Sequence, residues 1–230
     1  MKQLVAPAII LARTDYGEAD RILTLLTPEL GKLRVLAKGV RRVKSKLAGG
    51  IELFSVSTIT FIQGRAAGSL GTLVSTRLVK HYGHIVQDLD RTMLGYELIK
   101  QLNKTIEDEA EDVYFHLLEQ AFEALDDAAV PLAVVRFWFQ AQLLRLGGHT
   151  PNLHTDAAGN KLEPGLEYDF SLEAMCFSPR SKGRFTASHI KFLRLCFAGN
   201  PPKILARVQA SEALAAVLAP LVTAMAQAQA

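Results

Sequence analysis

The segment that decides the fold of the first part of the chain is Gly31-Lys32-Leu33-Arg34-Val35-Leu36-Ala37-Lys38-Gly39-Val40. From Lys32 onward charged and apolar residues alternate, which is typical of a β-strand with one buried face and one exposed face. We therefore predict that the apolar side chains face a core while Lys32 and Arg34 point outward. The flanking glycines mark turns at both ends of this strand.

Four other segments before residue 80 have the same β character. They are rich in Val, Ile, Leu and Thr and are bounded by turn residues such as Gly17, Pro28 and Gly64. The five predicted strands are Val5–Arg13, Arg21–Thr27, Lys32–Val40, Ile51–Ile62 and Gly71–Val79. Five short strands in so few residues predict a small β-barrel or sandwich, and five is the strand count of an OB-fold.

From about residue 84 the apolar residues follow a helical period instead. The first predicted stripe is Ile85, Leu89, Met93, Tyr96 and Ile99, and the second is Val113, Leu117, Ala121 and Leu125. Three further helices are predicted from Pro131 to Gly147, over Ala187–Phe197 and over Ser211–Gln227. Residues 149–185 collect Pro, Gly, Asn and Ser, so they are predicted to be a loop-rich insertion. The sequence thus predicts an α+β protein, with a nucleic-acid-binding OB-fold at 1–80 and an all-helical domain at 81–230.

Positive charge is concentrated in the predicted barrel. Up to residue 80 the chain has 13 basic and 5 acidic side chains, whereas the remainder has 13 and 18. Seven basic residues without an intervening acid are Lys32, Arg34, Lys38, Arg41, Arg42, Lys44 and Lys46. We predict that they lie on a strand and an exposed, mobile loop and neutralise nucleic-acid phosphates. Aromatic residues nearby are limited to Tyr16, Phe54 and Phe61, so base stacking is predicted to be secondary.

Common motifs of catalysis are missing from the sequence. It contains no Walker phosphate loop, dinucleotide fingerprint, Gly-x-Ser-x-Gly elbow or His-Glu-x-x-His pair. We therefore predict a protein that is not an enzyme and needs no cofactor. The apolar stretch Ala213–Ala226 contains Pro220 and is too short to span a bilayer, so no membrane association is predicted. The two cysteines do not suggest a disulfide framework and fit a reducing cytoplasm.

One cluster of possible metal ligands lies in the predicted insertion. His149, His154, Asp156 and Cys176 fall within 28 residues of one another. A structural zinc site normally uses paired cysteines at short spacing, and Cys176 has no cysteine nearby. We predict no metal site there.

Three consecutive aromatic residues, Phe137-Trp138-Phe139, lie in the third predicted helix. They span about 200° of a helix, so not all three can face a single core. Core packing is the simpler interpretation. The other is an exposed aromatic surface bordered by Arg136 and Arg145, which could hold a peptide with a terminal carboxylate. The residues alone leave both interpretations open.

Several of these segments resemble the bacterial RecO family of DNA repair proteins. The resemblance lies in Ala8–Gly17, Arg21–Thr27, Gly31–Arg42, Arg136-Phe137, Leu146-Gly147-Gly148, Pro151-Asn152-Leu153 and Phe185-Thr186. It implies an N-terminal OB-fold, a helical domain and a non-catalytic mediator that binds single- and double-stranded DNA. Such a mediator anneals complementary strands and, with RecR, loads RecA onto DNA coated by single-stranded-DNA-binding protein (SSB). The resemblance also implies that SSB is engaged through its acidic, Phe-ended C-terminal tail.

The resemblance assigns roles to particular residues. It supports DNA binding by Lys32, Arg34, Lys38, Arg41 and Arg42, whereas Lys44 and Lys46 rest on charge alone. It also favours an SSB-tail site at Arg136, with Trp138 and Arg145. Many family members carry a four-cysteine zinc module, but Asp156, Gly159 and Pro179 stand at three of its cysteine positions here, so zinc is not implied. Two alternatives remain open, namely an RNA- or ribosome-associated OB-fold protein and a protein-interaction scaffold.

Overall fold

The computed structural model describes residues 3–64 and 69–228. It divides into two compact units, Met1–Asp126 and Asp127–Ala230. The unit that contains the barrel therefore extends past residue 80, because the first two helices pack with the strands.

The first unit is built on a closed five-stranded barrel. Its strands are β1 (Gln3–Tyr16), β2 (Asp20–Thr27), β3 (Gly31–Ala37), β4 (Ser55–Ile62) and β5 (Gly71–His81). They follow the order β1-β2-β3-β5-β4 around the barrel. All neighbours are antiparallel except β3 and β5, which pair in parallel. The predicted OB-like barrel and the α+β fold class are confirmed.

Alternation along the strands places the barrel core. Leu23 and Leu25 on β2 and Val35 on β3 have no exposed surface, and they pack with Ile59 of β4. The two-residue period of a strand directs the intervening side chains away from this core. The β4 strand begins at Ser55, later than predicted, because Phe54 before it has φ +55°, which lies outside the β region.

Two helices complete the first unit, α1 (Leu89–Thr105) and α2 (Asp112–Leu125). The predicted apolar stripe of α1 is wrong for most of its length. Leu89, Met93 and Tyr96 are 74%, 61% and 49% exposed, whereas the buried face contains Leu94, Gly95, Leu98, Ile99 and Leu102. The reason is the packing of Phe54, whose ring lies so close to Gly95 that a Cβ atom there would overlap it. This contact selects the glycine face of the helix for burial.

The second unit is mainly helical. It contains α3 (Leu132–Leu146), β6 (Tyr168–Ser171), β7 (Cys176–Pro179), α4 (Ala187–Phe197), α5 (Pro202–Leu205) and α6 (Ser211–Ala228). The helix α3 is central, because it packs against α4, α5 and α6. The hairpin β6–β7 lies inside the stretch that was predicted to be loops.

The last helix meets the length and composition of a membrane span. It has 18 residues and a mean hydropathy of 1.3, so the prediction that this stretch is too short does not hold for α6. A core helix of a soluble protein meets the same criterion. Leu218, Val222 and Met225 are buried on the face that packs within the second unit.

Candidate nucleic-acid interface

The basic residues follow β3 into a segment of turns that we call the basic loop (Lys38–Lys46). Gly39 starts it with φ +63°, a conformation that favours glycine, and its N–H donates to the Asp20 carboxylate at 2.7 Å. Two further turns follow, in which the Arg42 N–H donates to Gly39 O at 3.1 Å and the Ser45 N–H to Arg42 O at 2.9 Å. The predicted loop is therefore a series of hydrogen-bonded turns.

Both ends of the basic loop are anchored to the barrel. Val40 is buried in the barrel core near its start. Just beyond its end, Leu47 packs against the same core, and its carbonyl accepts a hydrogen bond from Thr76 Oγ1 at 3.2 Å. Because the chain is fixed at these points, the polar side chains between them are directed to solvent.

Four cations of the basic loop are exposed and have no ion pair or side-chain hydrogen bond with any residue that the structure describes. They are Lys38, Arg42, Lys44 and Lys46. Arg34 of β3 has the same properties and lies opposite Thr24 of β2 on the outer face of the barrel. These five side chains form the cationic surface on which phosphates can bind without displacing an internal partner.

Arg41 differs from its neighbours because it has an acidic partner. Its Nη1 lies 3.6 Å from Asp15 Oδ2, and Arg21 Nε donates to Asp15 Oδ1 at 2.8 Å. The hydrogen bond from Arg21 is the main cause that lowers the pKa of Asp15; desolvation opposes it, and the charge of Arg41 adds to the lowering. The basic run has no acid in the sequence, but the β1–β2 hairpin supplies one in space.

Lys32 is committed to a structural role. Its Nζ donates to the Ile106 carbonyl at 2.7 Å and to the Asn103 carbonyl at 3.3 Å, at the C-terminal end of α1. Its main-chain N–H donates to Asp108 O at 2.9 Å. The predicted outward direction of Lys32 is correct, but its ammonium group is occupied by carbonyl oxygens that a helix terminus leaves without partners.

Three further arginines of the barrel were not singled out from the sequence. Arg13 pairs with Glu52 at 3.1 Å, and Arg21 pairs with Asp15 as described above. Arg77 of β5 is exposed and lies opposite Thr58 of β4. The sequence signal for the Asp15–Arg21 pair was the turn at Gly17 between the first two predicted strands, because a tight turn there brings Asp15 opposite Arg21.

The aromatic residues near this surface contribute little to it. Phe54 and Phe61 are buried, whereas Tyr16, at the end of β1, is 55% exposed. That phosphate contacts dominate over base stacking stays a prediction.

The predicted SSB-tail residues are not brought together. Trp138 is 1% exposed and its Nε1 donates to Asn200 O at 2.9 Å, while Phe137 and Phe139 have no exposed surface. Of the two interpretations, core packing is therefore the one observed, because α4, α5 and α6 pack against the aromatic part of α3 while Arg136 and Arg145 stay exposed. Arg136 and Arg145 are nine positions apart, which places them about 180° apart on the helix.

Another surface of the second unit has the chemistry predicted for that site. A cleft of about 690 Å³ lies between residues 150–154 and α4. Pro151, Leu153, Leu195 and Phe197 contribute apolar walls, and the exposed Lys191 stands among the lining residues. Arg194 also lines it and donates from Nε to the Leu153 carbonyl at 2.8 Å.

The insertion holds its shape through hydrogen bonds and buried side chains. Asp156 Oδ1 accepts from the Asn160 N–H at 2.8 Å and from the Ala158 N–H at 2.9 Å, and these bonds lower its pKa. Cys176 is buried and forms a β-bridge with Asn152. Within residues 3–64 and 69–228, no three His, Cys, Asp or Glu side chains are grouped in a way that could hold a metal ion.

Comparison with known proteins gives matches over both units. The family described as "Recombination protein O N terminal" matches residues 1–82, and "Recombination protein O C terminal" matches residues 86–225. A protein named DNA repair protein RecO from Dehalococcoides mccartyi (strain CBDB1) is 33% identical over 180 residues, which cover 76% of this chain and 66% of that protein. A protein of the same name from Rhodopirellula baltica is 34% identical over 146 residues, covering 63% of this chain and 53% of the relative. The matched regions thus span 53% to 66% of these two relatives' length.

Proposed function

The chain belongs to the RecO family, and on that premise we propose that it is a DNA-binding protein of recombinational DNA repair without enzymatic activity. In this proposal it binds single- and double-stranded DNA and anneals complementary strands. It then acts with RecR to load RecA onto SSB-coated DNA in the cytoplasm, in association with the nucleoid. These partners come from the family resemblance.

The observation that carries the proposal is the set of five exposed cations without partners in the described part of the chain, Arg34, Lys38, Arg42, Lys44 and Lys46. A lysine or arginine that is already paired must exchange one anion for another when it binds a phosphate. An unpaired one releases only the condensed counterions of the nucleic acid, which favours binding at low salt. The five side chains lie on one strand and the loop that follows it, so they can contact successive phosphates of one backbone.

Strand annealing follows from the same surface. Two complementary strands repel each other through their phosphates, and fixed cations between them reduce this repulsion. Phosphate contacts carry no base information, so the bases stay available to find their partners. The reaction breaks no covalent bond and needs no catalytic residue.

A salt titration with a neutralised loop tests this proposal. Each phosphate contact contributes about 0.7 to the slope of log K against log salt for single strands, so removing four contacts should lower the slope by about 2.8. The test variant carries glutamine at Lys38, Arg42, Lys44 and Lys46. The control variant loses the same charge at exposed lysines outside the loop, with glutamine at Lys100, Lys104, Lys161 and Lys182.

The two variants should differ in both assays if the loop binds DNA. We expect the loop variant to lose most binding and annealing, while the control variant stays close to the wild-type protein. Equal effects of the two variants would show that only the net charge matters and would contradict the proposal. Complete displacement of DNA by RNA of the same sequence, at equal concentration, would instead support the RNA-binding alternative.

For the SSB tail we propose the cleft beside α4 in place of the Trp138 region. An acidic peptide that ends in phenylalanine needs an apolar pocket and nearby positive charge. Leu195 and Phe197 offer the first, and the exposed Lys191 offers the second. Fluorescence anisotropy with a labelled tail peptide should show weaker binding for Lys191→Glu and unchanged binding for Arg136→Glu. Weaker binding for Arg136→Glu and unchanged binding for Lys191→Glu would place the site on α3 instead.

A further inference from the structure

Asp15, Arg21 and Arg41 form a charged cluster beside the basic loop. The Asp15 carboxylate receives Arg21 Nε at 2.8 Å on one oxygen and faces Arg41 Nη1 at 3.6 Å on the other. The side chains of Asp15, Arg21 and Arg41 are 54%, 31% and 37% exposed. A phosphate can therefore reach both guanidinium groups from solvent, but it meets a carboxylate already bound to them.

The backbone around this cluster is fixed without the Asp15 side chain. The Arg41 N–H donates to Ala19 O at 2.9 Å, and the Gly39 N–H donates to Asp20 Oδ1 at 2.7 Å. Asp15 thus is not needed to place the start of the basic loop on the hairpin. The Asp15 carboxylate instead contacts the donor groups of Arg21 and Arg41.

We propose that Asp15 is an internal competitor of the DNA phosphate for Arg21 and Arg41, and that it limits the affinity of the cationic surface. The inference rests on the proposed DNA-binding function. When a phosphate binds, the two arginines exchange a carboxylate for a phosphate, and Asp15 is left to recruit a cation from solution. Such an exchange keeps DNA binding reversible, which a protein that must hand over its strands requires.

The competition predicts that Asp15→Asn binds single-stranded DNA more tightly than the wild-type protein. An exposed ion pair contributes little, so the expected gain is about two- to fivefold at low salt. The salt slope should become steeper by up to about 0.7, because no cation is taken up by Asp15. Glu18→Gln is the matched control, since Glu18 lies in the same turn and has no ion pair in the described part of the chain.

A second background separates competition from a general change in charge. In an Arg21→Gln/Arg41→Gln protein the Asp15→Asn change should have no effect on DNA affinity, because the contested donors are gone. An unchanged or weaker affinity of Asp15→Asn would overturn the inference, as would a gain that persists in this background or equals that of Glu18→Gln. Failure of the wild-type protein to bind DNA would instead refute the proposed function. Circular dichroism of each variant checks that the fold is retained.

Discussion

Replacing Lys32 by methionine should weaken the first unit and leave DNA binding largely unchanged. The ammonium group donates to the carbonyls of Asn103 and Ile106, so its loss removes two hydrogen bonds from a charged donor at a helix end. The site is only partly buried and one bond is long, so we expect a loss of about 2 kcal/mol. This corresponds to a decrease in Tm of roughly 4–8 °C. Methionine retains the apolar stem of lysine, so the loss of stability measures the contribution of the ammonium group.

Arg34→Met is the matched control, two positions along the same strand. Arg34 is exposed and has no partner among the described residues, so its replacement should change stability by less than about 0.5 kcal/mol. It should, however, reduce the salt slope of single-strand binding by about 0.7. Urea denaturation and salt-titrated anisotropy measure the two quantities separately. A Lys32→Met protein with native stability and impaired DNA binding would refute the assignment.

Three further predictions concern backbone, pH and thiol chemistry. Gly17→Ala should lower the free energy of unfolding by about 1–2 kcal/mol, because Gly17 has a positive φ. Gly31→Ala should lower it clearly more in urea denaturation, because Gly31 also has a positive φ and its new Cβ would overlap the Asp108 carbonyl. Burial lowers the pKa of His189 below its usual 6.5, and its neutral Nδ1 accepts a hydrogen bond from the Thr186 N–H. Because protonation of His189 is easier in the unfolded chain, the second unit should lose stability as the pH falls below about 6.5. His189→Gln should keep this cap and remove that pH dependence in thermal melts. Burial raises the pKa of the Cys196 thiol to about 12, so it should resist iodoacetamide at pH 8 in the native protein and react after unfolding, as read by mass spectrometry.

The prediction of the barrel succeeded because its signals are local. Alternation between Lys32 and Val35 reflects the two-residue period of a strand, which holds wherever one face is buried. The same is true of α4, which spans the predicted Ala187–Phe197 and is preceded by Thr186 in a capping box. Such features depend on neighbours only a few residues away, so the amino-acid order contains them.

Errors arose where two distant segments meet. The burial of Gly95 in place of Met93 depends on the ring of Phe54, and no periodicity within α1 reports it. The three aromatic residues of α3 span more than one face of the helix, but α4, α5 and α6 pack against it and all three rings are buried. Helical spacing shows which residues share a face, whereas the number of covered faces depends on the neighbouring elements.

The sequence by itself determined that this protein has a small β-barrel, a helical part and a concentrated positive charge after the third strand. Tertiary structure decided which of those charges are available. Lys32 is used by the end of α1, Arg41 is paired by Asp15, and Arg34 and four loop residues remain unpaired within the described residues. The physical reason is that charge is a property of each residue, whereas pairing depends on distances between atoms far apart in the chain.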